Sequence, residues 1–193
     1  MRTVTPDDLR FMDAALALAF AALGSTAPNP AVGCVIVNRG RIVGAAATAH
    51  GGRPHAEPQA LALAGEAARG ARVYVTLEPC AHHGRTPPCA EALIAAQPGE
   101  VVIACPDPFD QVAGRGAAML REAGVPVFEG VRRAEAEALN AGFFSRLATG
   151  RPILLTDRRA GLFDAELALE AGEDESGALD RLGAAGVTRV RRG

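Results

Sequence analysis

Three soft metal-binding side chains at fixed positions, His55, Cys80 and Cys89, constrain this chain more than any other feature. Imidazole and thiolate are preferred zinc ligands, and three protein ligands leave the fourth tetrahedral position open, as in catalytic zinc sites. The three residues are far apart in the sequence, so the fold must bring the histidine segment and the cysteine loop together. We therefore expect a bound Zn²⁺ cofactor held by His55, Cys80 and Cys89.

A carboxylate follows the histidine in the segment His55-Ala56-Glu57, and the first cysteine follows Pro79. His-x-Glu followed by Pro-Cys is typical of zinc deaminases, in which the glutamate moves protons and is not a ligand. A structural zinc site has no need of a carboxylate beside the metal, so Glu57 favours a deaminase site with Glu57 as the catalytic residue. A purely structural zinc site, or unrelated cysteines, is the alternative.

Composition excludes several other classes of function. The chain has 193 residues and a net charge of −2, with one Tyr and no Trp. It is long enough for one domain with a substantial core, and it lacks both the basic field and the aromatic residues of a nucleic-acid-binding protein. No run approaches the roughly 20 apolar residues of a membrane span. We expect a cytoplasmic protein with neither a membrane nor a nucleic acid as partner.

The hydrophobic pattern predicts alternating helices and strands after an initial hairpin. Helices are expected near 6–23, 56–68, 89–96, 116–123 and 132–147, and strands near 32–37, 41–47, 72–77, 100–104 and 125–128. This order is typical of a three-layer α/β/α sandwich with a mixed sheet. We assign residues 1–150 to this single domain.

Three segments carry a resemblance to a known family. Residues 28–37 (PNPAVGCVIV), 52–57 (GRPHAE) and 76–89 (TLEPCAHHGRTPPC) resemble the deaminase domain of the bifunctional riboflavin-biosynthesis deaminase/reductase. The likeness covers roughly residues 10–152. It implies a cytidine-deaminase-like fold and hydrolytic deamination of diaminohydroxyphosphoribosylaminopyrimidine, a pyrimidine nucleotide. It also implies a homodimer or higher homo-oligomer.

The resemblance further implies substrate contacts by Asn29, His82, Arg85 (toward the phosphate) and Asp107. Two positions depart from the family pattern: Thr48 replaces a frequent histidine, and Phe109 replaces a frequent asparagine. These departures keep two alternatives open. One is a deaminase of another amino-substituted pyrimidine or purine, and the other is a non-catalytic zinc-binding scaffold.

Residues 151–193 differ from the rest of the chain. Ile153-Leu154-Leu155 resembles the first strand of the family's reductase domain, but the expected lysine and Ser-Leu-Asp-Gly motif do not follow. The chain contains no lysine, and we find no glycine-rich phosphate cradle. We therefore expect residues 151–193 to be a short vestigial or truncated remnant of a reductase domain, partly ordered and without reductase activity.

Overall fold

The centre of the protein is a five-stranded mixed sheet with strand order β2-β1-β3-β4-β5. The structure is a computed structural model that describes residues 2–83, 87–108 and 114–193. β1 is antiparallel to β2 and β3, whereas β3, β4 and β5 are parallel. The strands are β1 (Gly33–Asn38), β2 (Arg41–Ala47), β3 (Arg72–Leu77), β4 (Glu100–Cys105) and β5 (Val127–Glu129).

Helices cover both faces of this sheet. Gly33 of β1 faces one helix, where an added Cβ would lie 1.9 Å from the Ala15 carbonyl oxygen. Gly44 of β2 pairs with Ile36 of β1 and faces another helix, where an added Cβ would lie 2.2 Å from the Ala60 carbonyl oxygen. Successive side chains of a strand point to opposite faces of the sheet, so Gly33 and Ile36, three residues apart, point to different faces. Gly44 shares the face of its partner Ile36, so the two helices lie on opposite sides of the sheet. The helices are α1 (Pro6–Ala22), α2 (Ala56–Ala64), α3 (Cys89–Ala96), α4 (Arg115–Glu122), α5 (Arg133–Leu139) and α6 (Ala141–Thr149).

The predicted three-layer sandwich is confirmed, and most of its element bounds agree with the sequence pattern. Two helices differ from the expectation. The helix expected over 56–68 is α-helical to Ala64 and continues as a 3₁₀ segment, Gly65–Ala68. The helix expected over 132–147 is two helices, α5 and α6, interrupted at Asn140. The interruption lets the Asn140 side chain reach the loop before β1, with a consequence developed below.

Residues after Gly150 form a second, three-stranded parallel sheet of order β6-β8-β7. Its elements are β6 (Ile153–Leu155), β7 (Ala165–Glu166), α7 (Glu175–Ala184) and β8 (Arg189–Arg191). Phe163, Ala178 and Val190 are buried here. The segment also touches the first domain: an added Cβ on Gly186 would lie 3.0 Å from the Cβ of Pro28. Within the described ranges, no helix has both the length and the apolar character needed to cross a membrane.

Candidate active site

The three predicted zinc ligands converge from three different elements. His55 is the residue that precedes α2, Cys80 lies in the loop after β3, and Cys89 is the first residue of α3. The Nδ1 atom of His55 lies 3.8 Å from the Cys80 sulfur and 3.4 Å from the Cys89 sulfur. All three donor atoms lie within 4.8 Å of one another. Elements distant in the sequence thus meet at one point.

This spacing fits a tetrahedral zinc ion. Zinc–sulfur and zinc–nitrogen bonds of about 2.3 and 2.0–2.1 Å at a tetrahedral angle place N and S about 3.6 Å apart. The two observed nitrogen–sulfur distances, 3.8 and 3.4 Å, lie on either side of that value. Three donors leave one position open, so the group fits a catalytic zinc site better than a closed structural one.

The local backbone favours a thiolate at Cys80. The backbone N–H of Cys89, at the start of α3, donates to the Cys80 sulfur at 3.2 Å. Hydrogen bonds from the Cys89 side chain, from His55 and from this N–H lower the pKa of Cys80 to about 4, although burial opposes them. The hydrogen bond that the Cys89 thiol donates to Cys80, together with burial, raises the pKa of Cys89. Helix N-termini and charge-assisted donors commonly stabilise metal-binding thiolates in this way.

Glu57 lies in the first turn of α2 beside the ligand group, and only 4% of its surface is exposed. Burial raises the pKa of this carboxyl, and the nearby Cys80 thiolate raises it further, while a hydrogen bond with Cys89 and the charge of His55 act in the opposite direction. A raised pKa brings a carboxyl closer to the range in which a general acid/base works, so the environment of Glu57 suits that role.

A pocket of about 110 Å³ opens onto these residues. It is smaller than the roughly 300–1,000 Å³ of typical ligand pockets, so it holds the reacting ring of a substrate, and a ribose phosphate on that ring would lie outside it. Three of the predicted substrate residues, Asn29, His82 and Asp107, line it together with His55, Glu57 and Cys80. The fourth, Arg85, lies outside the described residues, as does Phe109.

Asn29 is held against the loop that precedes His55. Its backbone N–H donates to the Thr26 carbonyl at 2.9 Å, and the Thr26 hydroxyl donates to the Asn29 carbonyl at 3.1 Å. Gly52 lies beneath its side chain: an added Cβ there would lie 2.1 Å from the Asn29 Nδ2 atom. The glycine thus allows the two loops to approach closely.

Residues 5–105 match the family described as the cytidine and deoxycytidylate deaminase zinc-binding region. This match covers more than half of the chain and includes the three predicted zinc ligands and Glu57. The chain belongs to this deaminase family. The predictions of a cytidine-deaminase-like fold and of a zinc site are confirmed by this match together with the His55, Cys80 and Cys89 group.

The relatives of this deaminase-family chain identify its branch of the family more narrowly. The riboflavin biosynthesis protein RibD of Escherichia coli is 51% identical over 168 residues, which are 87% of this chain and 46% of that protein. The chain therefore spans about half the length of the curated relatives that it matches. The likeness to riboflavin-biosynthesis deaminases inferred from the sequence is confirmed.

Two solved structures support the same relationship. Acinetobacter baumannii RibD superposes with a TM-score of 0.74 at 46% identity, over 87% of this chain and 47% of that one. A Thermotoga maritima diaminohydroxyphosphoribosylaminopyrimidine deaminase/5-amino-6-(5-phosphoribosylamino)uracil reductase superposes with a TM-score of 0.72 at 37% identity, over 84% and 45%. Deaminases of this family act on small-molecule substrates.

Sequence reasoning missed several residues of the deaminase pocket wall. Glu78, Arg53 and Phe143 line it, and so does Thr48, which was noted only as a departure from the family pattern. Glu78 is buried, and its carboxylate accepts hydrogen bonds from the backbone N–H groups of Asp107, Gly114 and Ala117. The sequence signal for Glu78 was its position as an acidic residue directly before Pro79-Cys80. Phe143 lies in the stretch 139–143, which continues the likeness to the family, but the sequence does not show that α6 reaches the pocket.

Proposed function

We propose that this chain catalyses zinc-dependent hydrolytic deamination of diaminohydroxyphosphoribosylaminopyrimidine in riboflavin biosynthesis. The observation that carries the proposal is the buried Glu57 carboxyl beside a three-donor zinc group that opens into a small pocket. A structural zinc site needs neither the open ligand position nor the carboxylate. The name of the Thermotoga maritima relative gives this substrate, and the name of the Escherichia coli relative gives the pathway.

In this proposal His55, Cys80 and Cys89 hold the zinc, which supplies a Lewis acid that lowers the pKa of water. Glu57 accepts a proton from the water that attacks the amino-bearing ring carbon. It delivers that proton to the neighbouring ring nitrogen, then takes the remaining proton from the added hydroxyl and gives it to the leaving amino group. The carbon–oxygen bond forms, the carbon–nitrogen bond breaks, and the products are the ring carbonyl and ammonia.

The environment of Glu57 suits both of its proton transfers. Burial raises its pKa, so the protonated form is accessible after the first transfer. Asn29, His82 and Asp107 lie on the substrate side of the pocket, and we assign them to contacts with the ring and its substituents. The assignment of Arg85 to the substrate phosphate stays a prediction from the sequence.

Three further expectations stay proposals. We expect the substrate to be a free pyrimidine nucleotide, the location to be cytoplasmic and the assembly to be a homodimer or larger homo-oligomer. We also propose that residues 151–193 derive from the start of a reductase domain and add no reductase step. Support for the last point is the parallel β6-β8-β7 sheet, combined with the missing lysine and phosphate cradle noted in the sequence.

The substrate is tested by measuring ammonia release from a panel of amino-heterocycles by the zinc-loaded protein. The panel contains diaminohydroxyphosphoribosylaminopyrimidine, its dephosphorylated form, deoxycytidylate, cytidine and adenosine. The proposal predicts the highest kcat/KM for the phosphorylated diaminopyrimidine. A higher kcat/KM for another member would reassign the substrate, and no release from any member by the fully loaded protein would favour a non-catalytic scaffold.

A further inference from the structure

The side chain of Asn140 bonds to both main-chain groups of one residue in the loop before β1. Its Nδ2 donates to the Ala31 carbonyl at 3.1 Å, and its Oδ1 accepts from the Ala31 N–H at 3.1 Å. The two residues are 109 positions apart in the sequence, and Asn140 is only 2% exposed. The side-chain amide of Asn140 thus gives Ala31 the donor and the acceptor that a neighbouring strand would otherwise supply.

Thr48 holds the same short segment from the other side. Its hydroxyl donates to the Pro30 carbonyl at 3.0 Å and accepts from the Val32 N–H at 3.0 Å. Three consecutive residues, Pro30 to Val32, are therefore fixed by two side chains from distant parts of the chain. Because backbone groups buried without partners are costly, this segment has little freedom to shift while both side chains are present.

We propose that Asn140 is a positioning residue that sets the place of Asn29 in the substrate pocket. Asn29 precedes Ala31 by two residues and lines that pocket. Phe143, one helical turn after Asn140, lines it too, so one anchor relates two parts of the wall. This inference rests on the proposed function and deepens it, because it names what fixes the substrate side of the site.

A purely structural role predicts a different outcome from a positioning role. If Asn140 only satisfied buried polar groups, its loss would lower the melting temperature and leave the pocket unchanged in the molecules that remain folded. If it positions Asn29, its loss weakens substrate binding in protein that is folded and fully loaded with zinc. The metal ligands lie on other elements, so zinc content is expected to stay at one per chain.

The test compares Asn140→Asp with Asn38→Asp in the full chain. N140D replaces the donor to Ala31 by an acceptor. N38D removes a comparable donor, from Nδ2 to the Ala67 carbonyl at 2.7 Å, at the opposite end of β1 from the pocket. We expect N140D to raise KM about tenfold with kcat changed less than about threefold, and N38D to leave KM unchanged. Equal KM values in both variants would overturn the proposal.

A double-mutant cycle with Asn29→Ala separates action through Asn29 from independent effects. The proposal predicts that N29A and N29A/N140D have the same KM, since the effect of Asn140 on substrate binding acts through the Asn29 side chain. KM increases that multiply would overturn it. Asn140→Ser is the second variant if N140D does not fold, and a failure of both to fold would show a folding determinant and reject a separate positioning role.

A measurement without substrate keeps this proposal separable from the proposed function. If the wild type releases no ammonia, the proposed function fails, and amide hydrogen exchange then tests the positioning alone. We expect N140D to speed exchange at both Ala31 and Asn29, whose N–H is bonded to Thr26, while N38D leaves both unchanged. Faster exchange at Ala31 with Asn29 unchanged would contradict the proposal.

Discussion

The carboxylate of Glu78 accepts a hydrogen bond at 3.1 Å from the backbone N–H of Ala117, which joins the Cys80 loop to the first turn of α4. The same carboxylate accepts from Asp107 and Gly114. One buried side chain therefore ties together three segments around the pocket. Carboxylates at helix N-termini stabilise otherwise unpaired N–H groups and the positive end of the helix dipole.

Glu78→Ala leaves three backbone N–H groups without this acceptor. The bond to Ala117 is buried, whereas Asp107 is half-buried and Gly114 is exposed. Because one buried unsatisfied group costs about 1–3 kcal/mol, we expect the free energy of unfolding to fall by about 1–3 kcal/mol. Urea denaturation measures this loss. The control is Glu137→Ala, whose carboxylate forms an exposed pair with Arg133 and is expected to change stability by less than about 1 kcal/mol. Similar losses in both variants would contradict the role of Glu78.

Gly52→Ala tests the close approach beneath Asn29. Gly52 has φ 84°, and an added Cβ would lie 2.1 Å from the Asn29 Nδ2 atom. Its neighbour Gly51 has φ 74° with nothing within 4 Å of an added Cβ, so Gly51→Ala isolates the backbone strain. We expect G51A to cost about 1 kcal/mol, and G52A to cost about 1–3 kcal/mol more and to raise KM. Equal stabilities and equal KM values would contradict this reading of the loop.

The sequence predicted the group that could bind zinc, His55, Cys80 and Cys89, together with the neighbouring Glu57, because the signals for it are local. His55-Ala56-Glu57 and Pro79-Cys80 carry the residue types and spacing of zinc deaminases within a few positions. The strands could also be predicted, because runs such as 33–37 and 73–77 are largely apolar and lie between turn signals. The deaminase family, the sandwich and the zinc site therefore followed from the chain itself.

What could not be predicted depends on contacts between distant residues. Asn140 and Gly142 weaken the helix locally, but the sequence does not show that Asn140 lies at the break or that it bonds to Ala31, 109 residues away. The wall positions of Phe143 and Arg53 likewise depend on how α6 and the loop before His55 fold against the pocket. Thr48 was visible in the sequence only as a departure, whereas the structure shows it bonded to the Pro30–Val32 segment.

A buried acid on the first helix, Asp8, gives a pH prediction. Burial raises its pKa, but hydrogen bonds from Thr5, Arg2 and Tyr74 outweigh burial and hold the pKa below its ordinary value. A lowered pKa in the folded state stabilises the protein above the unfolded pKa of about 3.9, and this contribution is lost as pH falls through the folded value.

Asp8→Asn removes that contribution. We therefore expect the stability difference between wild type and D8N to be constant above about pH 5 and to shrink as pH falls below about 4. Denaturant unfolding at a series of pH values from about 6 down to about 3 measures this difference. Asp7→Asn, at an exposed acid on the same helix turn, is the control and should show a much smaller difference. A D8N difference that grows toward acid pH would contradict the assignment.

Metal removal tests the ligand group independently of activity. Zinc that binds only the folded chain raises the melting temperature by mass action, so a strong chelator should lower it in the wild type. Cys89→Ser and Cys80→Ser should bind less than one zinc per chain and show little response to the chelator. Cys34→Ser, at a buried strand cysteine outside the ligand group, should keep both the zinc and the response. Full zinc content in C89S and C80S would contradict the assignment.

The role of Glu57 in zinc-dependent deamination is tested most directly by comparing wild type with Glu57→Gln. The measurement is the rate of ammonia release per bound zinc from diaminohydroxyphosphoribosylaminopyrimidine. Zinc content of both proteins is measured in parallel, because Glu57 is not assigned as a ligand. We expect one zinc per chain in each protein and a loss of at least about a hundredfold in kcat for E57Q, within the range for removing a general acid/base. Ammonia release by zinc-loaded E57Q at the wild-type rate would contradict this role of Glu57.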